Sequence, residues 1–139
     1  MYKQRMKMTV LQGGLDCLPE IIRRIVEVAV PEKIILFGSG ARGTLGPHSD
    51  LDLLVIKSGV FESRKVAGEI YLRLRGIPQA VDVIVLTPKQ VELSAHSPYH
   101  VVYPALHEGK VVYERRYRPS GMMFTRKRVK KSTFKVYPA

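Results

Sequence analysis

Short apolar runs alternate with stretches of helical spacing along most of the chain. Four of the runs, rich in β-branched residues, predict strands: Lys33–Phe37, Leu51–Ile56, Val81–Leu86 and Lys110–Glu114. Helical spacing precedes the first run, where Pro19 suits a first helical turn and Pro31 would end the helix. Further helices are predicted over 60–75, after Thr87-Pro88, where Thr87 is a candidate N-cap, and over about 101–107. The pattern therefore predicts one α/β (α+β) domain.

Composition narrows the class of protein. The chain has 139 residues, of which 45% are hydrophobic and 25% charged, as in ordinary soluble domains. No apolar run approaches the roughly 20 residues that a membrane-spanning helix needs, and no signal peptide is recognisable. The single cysteine, Cys17, excludes an internal disulfide and is typical of a reducing compartment. We therefore expect a cytoplasmic protein without a membrane contact.

The net charge of +11 is concentrated at one end of the chain. Residues 115–139 contain nine Lys or Arg and no Asp or Glu, whereas the other 114 residues carry 14 basic and 12 acidic side chains. The sequence thus predicts a domain over 1–114 and a flexible or peripheral basic tail over 115–139. RNA contact through the tail would involve Arg126, Lys127, Arg128, Lys130 and Lys131. A solubilising end and a docking element for an acidic protein surface are the alternatives.

Three aspartates point to metal chemistry. Asp50 and Asp52 open the second predicted strand, and alternation puts their side chains on one face, opposite Leu51 and Leu53. Asp82 is expected to be enclosed by its apolar neighbours in the third strand, where a carboxylate needs a partner. Mg²⁺ commonly binds through one or two carboxylates together with substrate phosphates. Convergence of the three would build a two-ion site for in-line displacement at phosphorus.

The segment after the first strand offers a phosphate site. Gly38 would let the backbone approach phosphate oxygens, and Ser39 could donate its hydroxyl to one of them. Arg42 could add a charge-assisted contact. The expected chemistry is displacement at the α-phosphorus of a nucleoside triphosphate by an acceptor hydroxyl.

Taken together, these motifs resemble a known family. Phe37-Gly38-Ser39, a ten-residue spacer, Asp50-Leu51-Asp52 and then Asp82 match the signature of the minimal nucleotidyltransferases of the DNA polymerase β superfamily. The resemblance spans about 18–114 and leaves the basic tail unmatched. It implies a polymerase β-like fold, with a small mixed sheet backed by helices.

The resemblance also implies roles for individual residues. Asp50, Asp52 and Asp82 would be the catalytic and Mg²⁺-binding carboxylates, with Asp82 activating the acceptor hydroxyl. The implied contacts to ATP or another triphosphate are Gly38, Ser39, Arg42 and Ser49. Small members of this family are often antitoxins of helical HEPN toxins, to which several transfer AMP on a tyrosine. The alternatives are an RNA-directed transferase that uses the basic tail and an antitoxin that acts by contact alone.

Overall fold

A computed structural model of the chain describes residues 14–46 and 48–116. The predictions for the basic cluster Arg126, Lys127, Arg128, Lys130 and Lys131 lie outside these residues and stay predictions. No helix within the described ranges is long and apolar enough to cross a membrane.

The four predicted strands are confirmed with their predicted bounds. They are β1 (Lys33–Phe37), β2 (Leu51–Ile56), β3 (Val81–Leu86) and β4 (Lys110–Glu114). They form a single sheet in the order β3-β2-β1-β4. β1 runs antiparallel to both β2 and β4, whereas β2 and β3 are parallel. The sheet is therefore mixed, and β3 and β4 are its edges.

Residues close to each end of the first helix determine where it begins and ends. Helix α1 (Leu18–Ala29) follows a 3₁₀ turn over Gly14–Cys17 and has Pro19 in its first turn, as predicted. Its inward face buries residues spaced four apart: Ile21, Ile25 and Ala29. The helix ends where Val30 takes a left-handed conformation (φ 47°), and Pro31 cannot continue it.

The other helices differ from the predictions mainly at their ends. They are α2 (Ser39–Arg42), α3 (Ser63–Arg73), α4 (Pro88–Ser94) and α5 (Tyr103–Glu108). The prediction of one helix over 60–75 was too long, because Glu62 is extended (φ −101°, ψ 116°) and Leu74 is no longer helical (φ −89°, ψ 1°). The predicted cap at Thr87 is confirmed, since its hydroxyl accepts a hydrogen bond from the Gln90 N–H in a capping box.

Helices cover both faces of the sheet. One hydrophobic core joins α1 and α3 to the face that carries Leu51, Leu53, Val55, Val83 and Val85. A second core joins α4 and α5 to the opposite face, with Ile35, Leu54 and Ile56 as its strand residues. Asp52 lies between Leu51 and Leu53 in β2, so alternation puts its side chain on the face that α4 and α5 cover.

Candidate active site

The strand register brings two of the predicted aspartates together. In the parallel pair of β2 and β3, Asp52 lies directly opposite Asp82. On its other side, in the antiparallel pair with β1, Asp52 lies opposite Phe37. Asp50 comes two residues before Asp52, immediately ahead of β2. The three predicted carboxylates therefore lie where β1 ends and where β2 and β3 begin.

The burial of these carboxylates differs from the prediction for Asp82. Asp52 is half-buried, whereas Asp50 and Asp82 are exposed. The expectation that apolar neighbours would enclose Asp82 was wrong. β3 is an edge strand. The second core packs against its later residues Ile84 and Leu86 and does not reach Asp82 near its start. The sheet face is thus open to solvent at the end where the carboxylates lie.

The three carboxylates lie close enough to affect one another electrostatically. Burial raises the pKa of Asp52 above its usual range, and the charges of Asp82 and then Asp50 raise it further. The guanidinium of Arg42 opposes these effects and lowers the pKa of Asp52. Within residues 14–46 and 48–116, no hydrogen bond or ion pair binds any of the three carboxylates. The cluster therefore has an excess of negative charge that a cation could offset.

Gly38 is required at the turn between β1 and α2. Its backbone (φ 71°, ψ −152°) lies in a region that only glycine adopts without strain. A Cβ at this position would also overlap the Oδ2 atom of Asp52. The predicted phosphate segment and the predicted metal ligands are therefore in direct contact, which the sequence spacing alone could not show.

The predicted contacts Ser39 and Arg42 are the first and last residues of the short helix α2. The N–H groups of Ala41 and Arg42 donate to the Gly38 carbonyl at 3.1 and 3.2 Å, which closes the turn. In the described part of the chain, the Ser39 hydroxyl has no hydrogen-bond partner. Ser39 is half-buried and Arg42 exposed, so both have donors available for an anion beside Asp52.

The predicted nucleotide contact Ser49 has a structural role. Its hydroxyl accepts a hydrogen bond from the Gly46 N–H at 2.9 Å, and its own N–H donates to the Gly46 carbonyl at 3.2 Å. These bonds set the turn that leads the chain into β2. A direct contact between Ser49 and a nucleotide stays a prediction.

The residues present fit a hard divalent cation. Oxygen donors from one or two carboxylates are what Mg²⁺ takes from a protein, the remainder being water and phosphate. Among the described residues, no group of three His, Cys, Asp or Glu side chains already surrounds a point where an ion would sit. Asp52 and Asp82, paired in register, are the strongest candidates for metal ligands. The sequence had predicted convergence of all three aspartates.

Two further residues at this end of the sheet were missed by the sequence reasoning. The side-chain amide of Gln79 donates to the Ser49 and Ala80 carbonyls, both at 2.9 Å. The hydroxyl of Tyr71 accepts a hydrogen bond from the Val83 N–H at 2.8 Å. Nothing in the sequence pattern marks either residue, because each contact joins segments that meet only in the folded chain.

A solved structure with a TM-score above 0.5 shares this fold, and others show weaker similarity. A protein from Sulfolobus solfataricus, described as a nucleotidyltransferase, is 23% identical, with a TM-score of 0.52 over 73% of this chain and 81% of that chain. A toxin–antitoxin complex with AMP-PNP is 20% identical, with a TM-score of 0.48 over 70% of this chain and 73% of the other. A mutant MntA–HpeT toxin–antitoxin is 17% identical, with the same TM-score and coverage. Among curated proteins, none matches the chain.

The family itself is shown by the sequence model of the nucleotidyltransferase domain. That model matches residues 18–117, which is well over half of the chain and includes Gly38, Ser39 and all three aspartates. The match begins with α1 and extends past β4, so it covers nearly all of the fold described above. The chain therefore belongs to the nucleotidyltransferase domain family.

Proposed function

We propose that the protein is a Mg²⁺-dependent nucleotidyltransferase that moves a nucleoside monophosphate from a triphosphate to an acceptor hydroxyl. AMP from ATP is the first candidate. The observation that carries the proposal is the pairing of Asp52 with Asp82 in register, with Asp50 alongside and Gly38 against the Asp52 carboxylate. Unpaired carboxylates beside a glycine turn form a site for a metal-bound phosphate group.

Each residue has a role in this chemistry. Asp50, Asp52 and Asp82 would hold a two-ion Mg²⁺ site, and bound Mg²⁺ offsets negative charge on the phosphoryl oxygens. Gly38 and Ser39 bind the triphosphate, Gly38 by letting the backbone approach its oxygens and Ser39 by donating its hydroxyl. Arg42 adds a charge-assisted contact to the same group.

In the transfer step, one bond to the α-phosphorus forms and another breaks. The acceptor oxygen forms a bond to the α-phosphorus while the bond to the bridging oxygen breaks, and pyrophosphate leaves. Asp82, which is exposed at the open end of the site, accepts the proton of the acceptor hydroxyl. Because the sheet face is open there, a large acceptor such as a folded protein can reach the α-phosphorus.

For the acceptor, we favour a tyrosine of a HEPN toxin in a toxin–antitoxin pair. This choice is supported by the resemblance of Phe37-Gly38-Ser39 and Asp50-Leu51-Asp52 to the minimal nucleotidyltransferases. RNA is the second candidate, supported by the nine basic and no acidic residues of 115–139. In an antitoxin that acts by contact alone, the carboxylate cluster would have no function.

The test is transfer of label from α-labelled triphosphates. Each of the four nucleotides is added with Mg²⁺ to the protein, with lysate of the native host as the acceptor pool. Asp52→Asn should abolish transfer, whereas Asp16→Asn, an exposed aspartate outside the cluster, should leave it intact. Label on one protein band would identify a protein acceptor, and label in RNA would identify the second candidate. No transfer by the wild type with any nucleotide would contradict the proposal.

A further inference from the structure

Gln79 connects the chain segment that carries Asp50 to the segment that carries Asp82. Its side-chain nitrogen Nε2 donates to the carbonyl of Ser49, which immediately precedes Asp50, at 2.9 Å. The same nitrogen donates to the carbonyl of Ala80, two residues before Asp82, also at 2.9 Å. One side chain thus connects the residues just before β2 to those just before β3.

The orientation of this amide follows from its surroundings. Both neighbouring atoms are carbonyl oxygens, which only accept hydrogen bonds, so the NH₂ group and not the amide oxygen must face them. The Ala80 carbonyl also accepts the Leu51 N–H at 2.9 Å. Ser49 is fixed from its other side by the turn with Gly46. Gln79 therefore completes a set of bonds around the first residues of both strands.

The carboxylates depend on such bonds for their positions. In the described residues, none of the three side chains is held by a hydrogen bond or an ion pair of its own. Asp50 also lies outside β2, which begins at Leu51, so the strand ladder does not fix it. Asp52 and Asp82 lie directly opposite each other on β2 and β3, and like charges in such a pair favour separation of the two strands. The Gln79 bonds oppose that separation.

From this geometry, we propose that Gln79 is a positioning residue that sets the distance between Asp50 and Asp82. The inference rests on the proposed function, in which these carboxylates bind Mg²⁺ and the reacting phosphate. Gln79 is not among the residues proposed to bind the Mg²⁺ or the phosphate. It acts through the Ser49 and Ala80 peptides, so its loss displaces the carboxylates without removing one of them.

The experiment compares Gln79→Met with Gln90→Met. Methionine has nearly the shape of glutamine but lacks the donor. Gln90 also makes hydrogen bonds through its side chain, but it does so in the Thr87 capping box, which follows the far end of β3. Gln79→Glu is the second variant, because its carboxylate would face the same two carbonyl oxygens. For each protein, kcat and the nucleotide KM are measured, together with Mn²⁺ binding by water-proton relaxation without nucleotide and thermal unfolding by circular dichroism.

We expect Gln79→Met to lower kcat about tenfold to a hundredfold, because a misplacement of about 1 Å has effects of that size. Its Mn²⁺ dissociation constant should rise about tenfold, as when the partner of a metal ligand is lost. The nucleotide KM should change little, and Gln79→Glu should be the more impaired variant. Gln90→Met should retain wild-type kcat and Mn²⁺ affinity.

Three outcomes would overturn the inference. Gln79→Met could match the wild type in kcat and Mn²⁺ binding, it could fail to fold, or Gln90→Met could lose as much activity. In the last two cases, the loss of activity would come from a general disturbance of the fold and not from displaced carboxylates. Failure of the proposed function is distinguishable: the wild type would transfer no nucleotide, whereas the Mn²⁺ comparison would still test whether Gln79 positions the carboxylates.

Discussion

Asp52 and Asp82 lie directly opposite each other on the parallel strands β2 and β3. Neighbouring strands are about 4.8 Å apart, and like charges directly opposite each other destabilise a sheet. Asp52 is half-buried in this pair, and its pKa is raised by burial and by the charges of Asp82 and Asp50. The pair therefore lowers the stability of the folded chain unless a cation is bound, which is the behaviour expected of a metal site.

The first prediction concerns the stability of Asp52→Asn. The folded chain favours the protonated form of Asp52, so the wild type loses stability as the pH rises through the raised pKa. The variant has no such loss. Its melting temperature at pH 7 should be higher than that of the wild type, and the difference should vanish below about pH 4. Thermal unfolding over a pH series measures both values.

Asp16→Asn is the matched control, since Asp16 is exposed in the turn before α1. It should show no comparable gain at pH 7. Millimolar Mg²⁺ should stabilise the wild type and the control more than Asp52→Asn, because only an intact site gains binding energy on folding. A loss of stability in Asp52→Asn at neutral pH would contradict the assignment of repulsion to this cluster.

The second prediction is that Gly38→Ala abolishes transfer. Alanine at φ 71° is strained by about 1–3 kcal/mol, and its Cβ would overlap the Asp52 carboxylate. Gly59→Ala separates the two effects, because Gly59 also has a positive φ of 106° but nothing within 4 Å of its Cβ position. Gly59→Ala should lose stability in urea unfolding yet keep its transfer activity. Equal activity of the two variants would show that the contact of Gly38 with Asp52 is not needed.

The third prediction concerns the acid stability of α1. Hydrogen bonds from Arg23 and Arg24 lower the pKa of Glu20 from 4.5 to about 2. A carboxylate with a lowered pKa stabilises the folded chain at pH values above its usual pKa. This contribution is lost as the pH falls from 4.5 towards 2. Because the pairs lie at the surface, Glu20→Gln should cost about 0.5–1 kcal/mol at pH 7 in urea unfolding.

The control for that variant is Glu69→Gln, since Glu69 is exposed and, in the part of the chain described, makes no ion pair. The cost of Glu20→Gln should shrink as the pH falls below 4.5, whereas Glu69→Gln should stay close to the wild type throughout. A cost that does not depend on pH would mean that the two arginines do not stabilise α1 through charge.

The fourth prediction is that Tyr71 protects the outer edge of β3. Its hydroxyl accepts a hydrogen bond from the Val83 N–H at 2.8 Å, and among the described residues β3 has no neighbouring strand on that side. Tyr71→Phe should cost about 1 kcal/mol, since the part-buried N–H loses its partner. Hydrogen exchange at the Val83 amide should become faster. Tyr99→Phe, at a tyrosine that is 96% exposed, should change neither quantity.

The strands were predictable because their apolar runs are short and end at glycine, proline or polar residues. β1 and β2 match their predicted bounds for this reason, and so does the Thr87 cap of α4. The ends of α3 were less predictable, because residues 60–62 have no local feature that excludes a helix. Glu62 is nevertheless extended, so the helix begins only at Ser63.

The amino-acid sequence by itself determined the strands, the first helix and the spacing that predicts a carboxylate site after Gly38-Ser39. Only the tertiary structure decided which carboxylates meet and how they are held. The register of Asp52 with Asp82, the exposure of Asp82 on an edge strand and the bridge made by Gln79 all join distant segments. Periodicity records only which face of a strand a residue occupies, whereas strand order and register depend on how α1 and α3, and α4 and α5, pack on the two faces.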